Sequence, residues 1–397
     1  MSSLVGNEVP VRATRSVALL IETSRAYGRG LVRGVARYNR ECGGWLVYFQ
    51  PHGLDDPPPP WLKNWEGDGI LARIGSRRMA DAVLETGVPA VDLRGMISDL
   101  GLPLIGVDNY ALAQLAADHL LERGFRHFAF CGLPRGGQLC MDERWDYFKQ
   151  LIEEAGFECN VFDARGGRRR GDAWEREQNR IARWIRSLPK PVGVMTCNDD
   201  RGLQVLDACR RAGVMVPDEI AVVSVDNDEY LCGLSIPPLS SINVNSERVG
   251  YEAASVLDRM ISGQRALKRL APVAPGGVVT RQSTDVLATE DQDVARAMCF
   301  IRAHACERIQ VADVLRHVSL SRAALEPRLK RVLGRTIYQE IQRVQIAHSK
   351  ELLATTDLPI KQVARRTGFK YVQHMSRVFR QITGQTPGRY RKQARGR

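Results

Sequence analysis

Long apolar runs are missing from this chain. None reaches the roughly 18 residues that a membrane-spanning helix requires, so no membrane partner is expected. The opening stretch MSSLVGNEVPVRATRS lacks the apolar core of a secretory signal, and residues 1–15 read as a loose tail. The nine cysteines are scattered from Cys42 to Cys306 without a C-x-x-C pair. That spacing excludes a zinc ribbon, speaks against a disulfide scaffold, and points to a reducing cytoplasm. There is no glycine-rich phosphate loop, no metal-ligand spacing among the seven histidines, and no nucleophile elbow. These absences argue against an enzyme and against a metal or an organic cofactor.

What is present is ordinary in bulk and uneven along the chain. At 397 residues the polypeptide is too long for one compact core, so two or three domains are expected. Residues 294–397 carry 22 Lys and Arg against 6 Asp and Glu, a surplus of 16, while the whole chain is +12, so residues 1–293 come to −4. A strongly cationic end on a mildly acidic body suggests a polyanionic partner. A solvated basic helical surface would show the same charge. Nucleic acid is favoured because the surplus sits on a motif.

That motif is IKQVARRTGFKYVQHMSRVF, residues 360–379. Apolar residues at helical spacing break at Thr367-Gly368-Phe369, where Gly suits a turn needing positive φ, and then resume. On a wheel of about 100° per residue, Val372, Met375, Phe379 and Ile382 share one face. Lys370, Gln373, His374 and Arg377 cluster opposite. Such a front offers the donors and acceptors that read base edges in a major groove. An earlier copy runs through VADVLRHVSLSRAALEPRLKRVLG, with Val311 matching Ile360, Val314 matching Val363 and Leu320 matching Phe369. After one inserted residue, Leu325 matches Met375 and Leu329 matches Phe379. Both copies close on G-x-T, at Gly334 and Gly384. Between them Ile337, Ile341, Val344, Ile346 and Leu352-Leu353 predict a connecting helix that would hold two recognition helices about one duplex turn apart.

This segment resembles the AraC-type DNA-binding domain, and the closing VFRQITGQTPGRYRKQ is that family's most distinctive stretch. The resemblance implies promoter DNA as partner, with RNA polymerase as a further one. The two copies are not equal readers. With Ser321 as N-cap, the first recognition helix presents Ala323, Glu326, Pro327 and Lys330, and Pro327 predicts a local bend because it lacks an N–H and crowds the carbonyl of Ala323. Glu326 could accept from cytosine, and Ala323 could touch a thymine methyl. We expect the second unit to supply most hydrogen-bonded base reading. The first would add apolar contact and phosphate anchoring through Arg322, Arg328 and Arg331.

From Ser16 the chain alternates strand and helix, with LPLIGVD at 102–108 read as one of the strands, which implies mostly parallel sheets with right-handed crossovers. About 270 residues of this suit two lobes. The segment DDPPPPW, residues 55–61, reads as a loop. Several strands end on polar residues: Ser24-Arg25, Asp92, Asn198-Asp199 and Asp226-Asn227. Open α/β sheets bind ligands at the carboxyl ends of their strands, and carboxylates with guanidinium groups suit a polyhydroxy ligand. Arg144 is a further candidate arm, and Tyr27 or Trp145 could stack on a sugar face. Each Asp or Asn taken singly could equally be a helix cap.

IGVDNYALAQLAADHLLERGFRHFAFCG, CNDDRGLQVLDACRRAGVMVPDEIAVVSVDND and PPLSSINVNSERVGYEAASVL resemble the sugar-sensing domain of LacI-type repressors and periplasmic sugar-binding proteins. In that family the positions matching Arg144, Asn198 and Asp226 contact the sugar, and those matching Ser24 and Asp92 often do. A sensor of this kind followed by an AraC-type unit is similar to the xylose-operon regulators. The expected fold class is therefore an α/β two-lobed periplasmic-binding-protein-like sensor followed by an all-α double helix-turn-helix domain. Its expected parts are a tail at 1–15, a sensor at 16–282, a linker at 283–293 and a DNA-binding domain at 294–397. The effector would be a small sugar of the xylose kind, the assembly a homodimer, and the location the cytoplasm at the nucleoid. The competing expectations are a sugar-binding protein without a DNA role and a regulator answering to a different carbohydrate.

Overall fold

The computed structural model describes residues 14–394 except 54–55, 98, 137, 165–172, 265–269 and 287–290. Nearly all of the expected tail, the start of the proline loop and the middle of the expected linker lie outside the described residues. The first lobe is built on β1 (Ser16–Leu20), α1 (Ala26–Tyr38), β2 (Leu46–Phe49), β3 (Gly69–Ala72), α2 (Arg77–Glu85) and β4 (Ala90–Asp92). Its four strands are all parallel in the order β2-β1-β3-β4. β1, β3 and β4 are short apolar runs buried on both faces, as parallel strands covered by helices must be.

The second lobe follows with α3 (Asn109–Leu121), β5 (His127–Cys131), α4 (Leu139–Glu154), β6 (Cys159–Val161), α5 (Ala173–Ser187) and β7 (Val192–Thr196). It continues through α6 (Asp199–Ala212), β8 (Ile220–Val225), α7 (Glu229–Leu234) and β9 (Ser240–Asn243). The chain then returns to the first lobe as α8 (Ser246–Ile261) and comes back as β10 (Gly277–Val279). The six strands run β10-β9-β8-β7-β5-β6, with β10 alone antiparallel. α8 packs on α1 at very short range: a Cβ on Gly34 would sit 1.9 Å from the Glu247 carbonyl, and one on Gly250 2.1 Å from that of Leu31. The two helices touch only because both carry glycine there.

The stretch LPLIGVD, expected as a strand, makes only single bridges, Leu104 to Asp92 and Val107 to Val273. It is a crossing between lobes rather than a member of either sheet. Gly106 and Asp108 pair with Val273, and Asn243 pairs with Gly276. The crossings thus lie side by side, as a hinge requires.

The basic end is all helix: α9 (Gln292–His304), α10 (Val311–Val318), α11 (Arg322–Leu333), α12 (Ile337–Thr355), α13 (Ile360–Arg366), α14 (Val372–Thr383) and α15 (Pro387–Ala394). The doubled pattern is plain in space. α10 with α11 repeats as α13 with α14, and both recognition helices end on a left-handed glycine, Gly334 at φ 68° and Gly384 at φ 75°. Two small cores result. Ile337, Ile341 and Val344 of α12 join the first, and Ile346 and Leu353 join the second. One helix thereby ties both units into a single body.

Candidate ligand cleft and nucleic-acid interface

A cavity of about 300 Å³ lies between the lobes, at the carboxyl ends of their strands. It is small and within the range of small-molecule sites. The second lobe supplies Asp226 from the end of β8, Asp199 and Asp200 from the first turn of α6, and Asp228 from the cap of α7. The first lobe supplies Ser24, Arg25 and Tyr27. Arg144 stands behind them on α4, 4% exposed. Its guanidinium donates to the Cys197 carbonyl at 2.6 Å and to Asn109 Oδ1 at 3.1 Å, and lies 3.9 Å from Asp226.

Burial holds the Asp199 and Asp226 carboxyls above the usual range; for Asp199 the neighbouring Asp226 adds to this, while for Asp226 the guanidinium groups of Arg144, Arg73 and Arg25 oppose it. Asp199 accepts from the Asp228 amide at 2.7 Å and from Ser241 at 2.6 Å. On the facing wall, the Tyr27 ring lies under the Arg73 guanidinium at 4.9 Å, and burial pushes its hydroxyl up to about 12. Arg73 pairs with Glu22, which is 1% exposed. Two ion pairs cross between the lobes, Arg25 to Asp200 and Arg29 to Asp228, each at 3.1 Å. The Asp228 carboxylate also receives the Ala26 amide at 3.3 Å.

The structure thus brings Ser24, Arg144 and Asp226 to one place and turns others elsewhere. Asp92 is 3% exposed, and its carboxylate accepts from the amides of Arg94 at 2.9 Å and Gly95 at 3.1 Å. It caps the turn after β4. Asn227 accepts from Arg281 at 2.8 Å, a contact with its own lobe. Asn198 caps α6 by accepting from the Arg201 amide at 2.9 Å. Trp145 lies under Arg135 at 4.3 Å and against Phe130, so its ring is taken as a stacking surface. Sequence reasoning passed over Glu22, Arg29, Arg73 and Asp228. Arg73 directly follows β3, so the strand-end rule that selected Asp92 would have found it.

On the basic module, Gln373 and Arg377 are exposed along one side of α14, Lys370 is exposed in the bend just before it, and His374 sits edge-on to Phe369 at 5.5 Å. The back of that helix is Met375, Val378 and Phe379. Ile382 is 44% exposed, and Val378 takes the buried place expected of it. A polar front on an apolar back is the form a groove-reading helix needs. On α11, Ser321 caps by accepting from the Ala324 amide at 3.2 Å. Ala323 and Lys330 are exposed, and the helix runs on through Pro327. Glu326 is occupied by Arg322 at 2.6 Å. Phosphate anchoring by Arg328 does not fit this arrangement, because its guanidinium is spent on Asp291 at 2.5 Å and Asp293 at 3.0 Å. Among the described residues no group of His, Cys, Asp and Glu is placed to hold a metal ion, and no helix is long and apolar enough to cross a membrane.

A hinged two-lobed receptor joined to a doubled helix-turn-helix body defines a sugar-responsive transcriptional regulator. Comparison with known proteins agrees. A periplasmic binding protein-like domain matches residues 117–284, and a helix-turn-helix domain matches residues 314–393. The xylose operon regulatory protein of Escherichia coli K12 is 32% identical over 384 residues, covering 94% of this chain and 96% of its own. That of Haemophilus influenzae is 31% identical over 94% of this chain and 97% of its own. A solved xylose-binding transcription activator, xylR, superposes with a TM-score of 0.71 at 31% identity, over 96% of this chain and 98% of that one. The chain belongs to the xylose operon regulatory protein family.

Proposed function

We propose that the effector is D-xylose or a close pentose, bound between the lobes, and that its binding changes how the helix-turn-helix body meets promoter DNA. The carrying observation is Asp226 in the cleft with Arg144 directly behind it, 3.9 Å away, and Ser24 and Tyr27 on the opposite wall. A guanidinium beside a carboxylate offers donors and acceptors together, the combination that adjacent hydroxyls satisfy. The ion pairs across the lobes favour the closed form, and a ligand that binds this form more tightly shifts the balance toward it. On DNA, Lys370, Gln373, His374 and Arg377 read base edges. Arg322, Ala323, Glu326 and Lys330 line the first groove. A homodimer would place two such bodies on two half-sites, and RNA polymerase would be met at the promoter.

Calorimetry with D-xylose, L-arabinose, D-ribose and D-glucose, followed by a DNA-binding titration with and without the tightest binder, tests this. Saturable binding of one pentose together with a changed DNA affinity is the expected result. Binding of none of the four, or DNA affinity that ignores the sugar, would refute it. DNA binding should also weaken steeply with added salt, because several phosphates are neutralised.

A further inference from the structure

α3 carries polar contacts at both ends, toward the cleft at one and toward the DNA-binding body at the other. In its first turn, Asn109 accepts from Arg144 Nε at 3.1 Å and donates to Glu143 at 2.8 Å. Leu112, Ala113, Ala116, Ala117 and Leu120 are buried in the second-lobe core, so the helix is packed along its length and links its two ends rigidly. At its far end His119 lies 2.8 Å from the Thr284 hydroxyl, and Arg123 donates to the Thr284 carbonyl at 2.8 Å. The next residue, Asp285, pairs at 3.3 Å with Arg343 of α12. Arg343 also holds Glu340, which is fully buried. α12 is the helix that belongs to both helix-turn-helix cores.

We propose that Asn109 and Asp285 are positioning residues of a relay. A sugar that engages Arg144 shifts α3, α3 shifts Thr284, and the Asp285–Arg343 pair passes the shift to α12. This rests on the sugar-sensor function proposed above and names how that site regulates DNA binding. The pair suits a switch. Its side chains are 29% and 28% exposed, and partly wet ion pairs are individually weak, made and broken at little cost. A second junction pair joins Arg302 of α9 to Asp218 at 2.9 Å. Asp218 lies before β8, at the end of the sheet away from the cleft, so this pair holds the domains together without touching the path.

The test uses the full chain with D-xylose as probe and reads two quantities, the D-xylose dissociation constant and the ratio of DNA affinities with and without D-xylose. Typical couplings change affinity about 5–150-fold. Asp285→Ala should bind D-xylose within about twofold of wild type while its DNA ratio falls to about one. Asp285→Glu should restore the ratio, and Asp218→Ala should keep it. An unchanged ratio in Asp285→Ala, or equal loss in Asp218→Ala, overturns the relay and leaves the sugar reading intact. If wild type binds no D-xylose, the sugar reading is what fails. The relay is then judged by hydrogen exchange: Asn109→Ala should speed exchange of amides 336–345 several-fold, and unchanged exchange overturns it.

Discussion

Arg144 Nη1 lies 3.9 Å from Asp226 while the same nitrogen donates to the Cys197 carbonyl and Nε donates to Asn109. The guanidinium is therefore fixed before any ligand arrives. Replacing it by Met keeps much of the volume and leaves the half-buried Asp226 without the guanidinium beside it. Loss of the charged hydrogen bonds that this guanidinium offers a sugar should cost roughly 1.5–3 kcal/mol, or about 10–100-fold in sugar affinity. Calorimetry on Arg144→Met measures this directly, and an affinity within threefold of wild type would contradict it.

His119 makes acid stability informative. Burial, with help from Arg123, drives its ring pKa from 6.5 down to about 2. Between those values the unfolded chain holds a proton that the folded chain refuses, so stability falls as pH is lowered below about 6.5, by ~1.4 kcal/mol per pH unit. Asp199 and Asp226 act in the opposite sense, since their raised values let the folded state keep protons and their contribution is lost as pH rises. His119→Gln should remove the first effect only. Urea unfolding of the sensor at about pH 7.5 and about pH 5 should show the variant gaining roughly 2 kcal/mol on wild type at the lower pH. Parallel pH profiles would rule it out.

The two recognition helices should respond differently to truncation. Gln373→Ala removes an exposed amide from the front of α14 and should relax specificity at one base pair by ~1–3 kcal/mol. Lys330→Ala should weaken every site alike and flatten the salt dependence by about one unit of slope. A binding-site selection on both variants separates these outcomes, and equal loss of discrimination would defeat the division.

Pro327 sits inside α11, exposed, where its missing amide leaves the Ala323 carbonyl without a helical donor. Pro327→Ala restores that bond and removes a ring clash. It should stabilise the helical body by roughly 1–3 kcal/mol, seen as a higher melting temperature. A lower one would mean that the ring packs usefully.

The doubled helix-turn-helix was legible because everything that builds it is local. Apolar spacing, Ser321 as cap and the terminal glycines all act within a few residues. The α/β alternation was legible for the same reason, since buried parallel strands are short apolar runs. The stretch 102–108 was misread as a strand because an apolar run does not say whether a neighbouring strand awaits it. The cleft was half legible. Some of the polar residues at strand ends do line the cavity between the lobes, but the rule does not say which way a side chain turns. Asp92 and Asn227 turned toward their own lobes, where nearer donors took them.

By itself the sequence determined the kinds of element, their order, the basic recognition face and the candidate arms Arg144 and Asp226, because periodicity, capping and charge are properties of neighbouring residues. Only the tertiary structure decided that Asp228 would meet Arg29, 199 positions away, or that Asp285 would meet Arg343, 58 positions away. Such partners are chosen by how the sheets stack and where the crossings return, and no local pattern records the distance between groups that chain separation keeps apart.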